Sequence, residues 1–204
     1  MYIPKAFEET NSEVLVDHIN HNSFATVISS TDDGPMVSHL PMYYLKDGEN
    51  EFLIGHLAKA NEHWKFIEGK GVVIFHGPHA YISSKWYGTS NVVPTWNYIS
   101  VHVAGEFKLT DSKELVSILD FMVHKHEGNV QQFKNYNDEK FLEVLSNQIV
   151  GIKLEVKTIK GKWKLSQNKS EEIQKKIAEN LIKTGEYNSI EIAGKIYENL
   201  KIKT

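Results

Sequence analysis

The chain has 204 residues with no Cys and no Arg, 23 Lys against 26 acidic side chains, and a formal net charge of -3 with His neutral. Without Cys there is no disulfide, thiol catalysis, thiolate-held zinc or iron–sulfur cluster, and without Arg there is no bidentate guanidinium clamp. The charge balance gives no reason to expect nucleic acid as the main partner, and 41% hydrophobic with 24% charged residues describes an ordinary folded chain.

In chain order, MYIPKAFEETN opens with a Pro and two acids and no apolar run, unlike a signal peptide. No segment approaches the roughly 18 apolar residues of a membrane span, so no membrane partner and a cytoplasmic location are expected. NSEVLVDHINHN (11–22) predicts a helix capped by Ser12, with Val14, Leu15, Asp17, His18 and Ile19 along one side. FATVISS (24–30) reads as a strand and DDG (32–34) as a turn. PMVSHLPMYYL (35–45) reads as a second strand in which Pro41 marks an edge or bulge.

KDGEN (46–50) is a turn and EFLIGHL (51–57) a third strand; KANEHWKFIEG (59–69) predicts a short helix closed by Gly69. GVVIFHG (71–77) is an apolar strand, and NYISVHVAGEFKL (97–109) alternates Ile99, Val101 and Val103 against Ser100, His102 and Ala104. DSKELVSILDFMVHKHE (111–127) is an amphipathic helix with Leu115, Ile118, Leu119, Met122 and Val123 on one face, and a further helix is expected over 138–146. IVGIKLEVKTIKGKWKLSQN (149–168) returns to strand, and 170–200 reads as two helices broken at TGEYN. A run of strands on short turns suits an antiparallel barrel with helical additions, a mainly β, α+β chain, better than a parallel sheet.

The chemistry concentrates in GPHAYISSKWYGTSNVVPTWNY (77–98). Tyr81, Trp86, Tyr87, Trp96 and Tyr98 offer flat apolar faces, and Ser, Thr and Asn between them offer short donors and acceptors, the mixture a heteroaromatic ligand wants. Core and interface packing is the competing reading, and residue type alone leaves both open. A phosphate on such a ligand would want a cation, and Lys59 in GHLAKAN opens the predicted 59–69 helix.

A metal is not favoured: His124 and His126 point to different helix faces. His76 and His79, flanking a Gly77-Pro78 turn, could converge but lack further ligands. No nucleophile elbow, Walker loop or dinucleotide fingerprint is present. The C-terminal helices carry six Lys and six Glu over 170–204, so direct DNA contact is not expected of them.

MYIPKAF, HLPM (39–42), GHLAKANEHW (55–64), FHGPHAYISSKWY (75–87), VPTWNYISVHVAG (93–105) and LSQNK (165–169), in that order, resemble the PaiB family of FMN-binding split-barrel regulators. The resemblance covers the chain. It implies a six-stranded antiparallel split barrel over 1–168, a helical pair over 169–204 packing on the barrel or the dimer partner, a homodimer, and FMN at the subunit interface.

Carried over by position, His39, Leu40 and Pro41 line the isoalloxazine. His56, Leu57, Lys59 and Asn61 surround the phosphate, with Lys59 as its cation. Trp86, Tyr87, Thr95, Trp96 and Asn97 wall the flavin, and Gln167, Asn168 and Lys169 complete the polar rim. The implied function is regulatory. A flavin reductase using a nicotinamide cofactor and a haem-binding barrel with His39, His79 or His102 as ligand are the alternatives.

Overall fold

The computed structural model describes residues 1–88, 90–128, 140, 144 and 147–201. Among these the strands are β1 (Glu8–Glu9), β2 (Phe24–Thr31), β3 (Gly34–Pro41), β4 (Tyr43–Asp47), β5 (Asn50–Ala58), β6 (Gly69–Ile82), β7 (Thr95–Leu109) and β8 (Ile149–Lys164). The helices are α1 (Ser12–His21), α2 (Ser112–Glu127), α3 (Glu171–Thr184) and α4 (Ser189–Lys201), with short 3-10 turns at Lys5–Phe7, Glu62–Phe66 and Ser84–Tyr87. The helix expected over 138–146 falls largely outside the described residues.

The backbone divides into two compact units: Met1–His18, His76–His102 and Lys160–Thr204 form one, and Ile19–Phe75 with Val103–Ile159 the other. In the second unit the sheet runs in the order β3-β2-β6-β7-β8-β5-β4. β2 pairs antiparallel with β3 (Val27 opposite Ser38) and with β6 (Val27 opposite Val73), while β5 pairs with β4 (Tyr43 opposite Ile54) and with β8 (Leu53 opposite Leu154). Alternation buries Val27, Leu53, Phe75, Val103, Phe107, Ile152 and Leu154. Helix α2, capped by Asp111 accepting from Glu114 N–H, lays Ile118 and Met122 on Tyr43 and Ile54.

β7 and β8 approach very closely here: a Cβ built on Gly105 would lie 2.0 Å from the Glu155 carbonyl oxygen. Gly105→Ala is therefore expected to lower unfolding free energy by about 1–3 kcal/mol, read from urea melts; an unchanged midpoint would contradict this register.

In the first unit β1 pairs with β8, setting Glu8 opposite Lys162. The apolar faces of α3 and α4 (Ile177, Leu181, Ile192 and Ile196) close on Ala80, Ile82, Ile99 and Leu165. Ser170 caps α3, and the break expected at TGEYN is real: Gly185 ends α3 at φ 66° and Tyr187 follows at φ 51°.

The expected mainly antiparallel fold with added helices is present, with more strands than six. The extra strands have local causes. Residues 35–45 form two strands because Met42 and Tyr43 are both buried, which breaks the alternation between β3 and β4. Gly77-Pro78 is not a turn but lies inside β6. β2 pairs with β6 only over Gly71–Ile74, so the missing Pro N–H interrupts no bond to β2. Gly77 itself leaves room for the His18 ring, 2.6 Å from where a Cβ would stand. The helix expected over 59–69 shrinks to the 3-10 turn Glu62–Phe66, and Gly69 begins β6 at φ 102°. Asn11 rather than Ser12 caps α1, its Oδ1 accepting from Glu13 N–H at 2.9 Å.

Candidate functional site

The residues singled out from the sequence fall into two groups, one in each unit. In the second unit, His39 is exposed near the end of β3, with Nδ1 3.2 Å from the Thr26 hydroxyl. Leu40 and, on β5, Leu57 are buried in the core, and Pro41 is half-buried. His56 is half-buried, and its Nδ1 is shut off from solvent with no hydrogen-bond partner among the described residues. Burial pushes its ring below the usual imidazole range, so it is neutral at pH 7.

Lys59 follows β5 immediately. Its N–H donates to Gln148 O at 2.8 Å and its carbonyl accepts from Trp64 Nε1–H at 3.0 Å, so the backbone is held on both sides while the side chain is exposed. A cavity of about 160 Å3 adjoins it, lined also by Thr110, Ser112 and Gly151. The Thr110 hydroxyl oxygen is buried there with no hydrogen-bond partner among the described residues. The 3-10 turn after Lys59 is too short to supply a helix field, which removes that part of the phosphate argument. Glu62 spends its charge on Lys65 at 2.6 Å, in an exposed pair.

Asn61 organises the segment. Its Oδ1 accepts from His63 N–H at 3.1 Å and its Nδ2 donates to Ser38 Oγ at 2.9 Å. His63, 1% exposed, has Nδ1 2.8 Å from Ser38 Oγ and Nε2 2.8 Å from Ser29 Oγ, and Ser29 donates to Phe66 O at 3.3 Å. One tautomer satisfies every group: Asn61 donates to Ser38, Ser38 to Nδ1, Nε2–H to Ser29, and Ser29 to the carbonyl. The chain of bonds thus fixes a neutral imidazole, and burial lowers its pKa in the same sense. Sequence reading missed His63, because nothing in NEHW distinguishes a buried His from an exposed one.

In the first unit, Trp86 packs against the α3–α4 core, and Tyr87 is buried with the Lys169 ammonium 5.4 Å from its ring centre. Asn97 is fully buried and exchanges hydrogen bonds with Ser166 (3.0 and 3.2 Å). Gln167 folds back, its Oε1 accepting from Leu165 N–H at 2.7 Å, while Asn168 is exposed. The Thr95 hydroxyl accepts from Lys164.

Trp96 is different. It is 41% exposed and sits edge-on to Tyr187 (5.3 Å between centres) and Tyr81 (5.8 Å), with His79 at 6.1 Å. The aromatic stretch thus divides its work: Trp86 and Tyr87 build the core, while Tyr81 and Trp96 leave ring surface to solvent.

Residues 1–158 match the family described as "Putative FMN-binding domain". "Protease synthase and sporulation protein PAI 2" of Bacillus subtilis (strain 168) is 36% identical over 205 residues, covering 98% of this chain and 99% of its own. The chain belongs to this FMN-binding family. An uncharacterised protein of Emericella nidulans shares 25% identity over 82% of this chain and 84% of its own.

Among solved structures, the FAD and heme binding protein from Mycobacterium smegmatis superposes with a TM-score of 0.61 at 15% identity, covering 77% of this chain and 73% of that one. The flavocytochrome Anf3 from Azotobacter vinelandii gives 0.60 at 14%, covering 79% and 72%. At such identities these neighbours show the fold alone, the split barrel with added helices.

FMN is the cofactor of the family, and the side chains here suit its parts. Lys59 is an exposed cation with hydroxyls of Thr110 and Ser112 about the same cavity, as a phosphate requires. Among the described residues the Nδ1 of His56 has no hydrogen-bond partner and offers one buried hydrogen-bonding atom to a ligand. When bound, FMN supplies reversible electron transfer that no side chain of this Cys-free chain provides.

Proposed function

We propose that this protein is a regulatory flavoprotein of the PaiB type: a cytoplasmic homodimer that binds FMN at the subunit interface and acts on gene expression through it. The observation that carries the reading is the match at 36% identity running end to end with a Bacillus subtilis protein whose name ties it to protease synthesis and sporulation.

In this reading residues 1–168 form the flavin-binding part and 169–204 the helical pair. Lys59 neutralises the phosphate, with His56 and Asn61 beside it. His39, Leu40 and Pro41 line the ring system, and Leu57 belongs to the phosphate segment. Trp86, Tyr87, Thr95, Trp96 and Asn97 form or support its aromatic wall, and Gln167, Asn168 and Lys169 its rim. Near-equal numbers of Lys and Glu in the C-terminal helices favour regulation through a protein partner over direct DNA contact.

The test is a deletion strain of the host complemented with wild-type or Lys59→Ala protein, with transcripts measured across the genome. The reading expects a set of transcripts to change on deletion, to be restored by wild type and not by Lys59→Ala. Unchanged transcripts, from a protein that still binds FMN, would remove the regulatory role and leave the cofactor.

A further inference from the structure

Two lysines of the first unit occupy positions that a lysine seldom takes unpaired. Lys162, on β8, is 8% exposed. Its ammonium donates to Tyr2 O at 3.1 Å and otherwise faces the rings of Tyr98 (5.1 Å) and Tyr2 (5.6 Å). Among the described residues its three N–H donors thus have one oxygen acceptor. Lys164 lies two residues along the same strand, hence on the same face, and donates to Thr95. Burial pushes its ammonium below the usual lysine range, Tyr98 partly offsets this, and the charge of Lys162 adds to it.

Among the described residues no carboxylate forms an ion pair with either lysine, although other lysines of the chain are paired. Glu8 stands opposite Lys162 in the register, but it is exposed and lines another cavity. Desolvating like charges together is unfavourable unless an anion offsets it.

A cavity of about 330 Å3 in the same unit is lined by His76, His79, Trp96, Tyr98 and Ser100, and neither lysine is among its lining residues. Tyr98 is common to both features, as a wall of the cavity and as the ring beneath the Lys162 ammonium.

We propose that Lys162 and Lys164 form an anion-binding site for an aromatic carboxylate or phosphate ester, whose ring lies in the cavity beside Trp96 and Tyr98. The anion has two possible sources, the phosphate of the flavin or a separate small molecule. The site stands on one buried and one half-buried cation and does not depend on the role given to Lys59.

The experiment titrates the full-length protein with phenyl phosphate and benzoate, with benzyl alcohol as neutral control, following tryptophan fluorescence. Both anions are expected to bind saturably and at least about tenfold more tightly than benzyl alcohol. Lys162→Met and Lys164→Met are each expected to weaken the anions by about tenfold and leave the alcohol unchanged. Should Lys162→Met not fold, the half-buried Lys164→Met decides alone.

FMN and riboflavin then separate the sources. If the variants lose affinity for FMN but not riboflavin, the flavin phosphate is the anion. If FMN affinity is unchanged while that for phenyl phosphate falls, a separate ligand uses the site. Anions binding no better than benzyl alcohol, or equally well to folded Lys164→Met, would overturn the proposal.

Discussion

Replacing His63 by Ala is expected to cost about 3–5 kcal/mol of unfolding free energy. The buried ring bridges Ser38 and Ser29: without it the Ser38 O–H loses its acceptor and Ser29 loses a donor, although Asn61 and the Phe66 carbonyl still bond them, and each lost bond costs about 1–3 kcal/mol before the cavity is counted. For a chain of this size that is a fall of roughly 6–20 °C in melting temperature by calorimetry. The damage should centre on the Lys59–Phe66 segment, because the relay ties its 3-10 turn to β2 and β3. His63→Gln, able to keep one of the two bonds, should recover part of the loss.

The relay also sets a pH dependence. The folded state lowers the His63 pKa, so the unfolded chain binds the extra proton first as pH falls. The contribution is complete above the unfolded value of about 6.5 and is lost as the pH drops below it. His56 and His102 shift in the same direction and act in the same sense. Wild type should therefore lose stability between about pH 7 and pH 5, and His63→Ala should do so less steeply. Parallel profiles for the two proteins would mean that the buried ring is not held neutral.

Lys59→Ala is the second large expected effect, on binding rather than stability. The side chain is exposed and, among the described residues, makes no hydrogen bond or ion pair, its backbone bonds to Gln148 and Trp64 being independent of it. The melting temperature should stay close to wild type. FMN affinity should fall about 10- to 100-fold, the weight of one charge-assisted contact to a phosphate, while riboflavin, which lacks the phosphate, should bind both proteins alike. Equal FMN affinity in the two would move the phosphate elsewhere, with Lys162 and Lys164 the next cations to test.

Much of this architecture was legible in the residues, because alternation and amphipathic spacing are local signals. β7 declared itself through Ile99, Val101 and Val103, and α2 through Leu115, Ile118 and Met122, all buried as expected. The failures share a cause: the deciding contact lies far away in sequence. Gly77-Pro78 reads as a turn, and only the short β2–β6 pairing and the neighbouring His18 ring explain why a strand runs through it.

The site was less legible still. Tyr87 and Asn97 sit in a stretch whose composition suits a ligand, yet both are buried, Asn97 on Ser166 some 69 residues distant. Lys162 looks like any lysine of a polar strand until the rings of Tyr2 and Tyr98 enclose it.

The central claim is that this chain holds FMN. The most direct test is the visible absorbance spectrum of the purified protein, taken after incubation with excess FMN and thorough desalting, for wild type and Lys59→Ala. The account predicts flavin bands that stay with the wild-type protein at a stoichiometric level and are largely washed from the variant. A wild-type protein that emerges colourless, folded by circular dichroism, would contradict it.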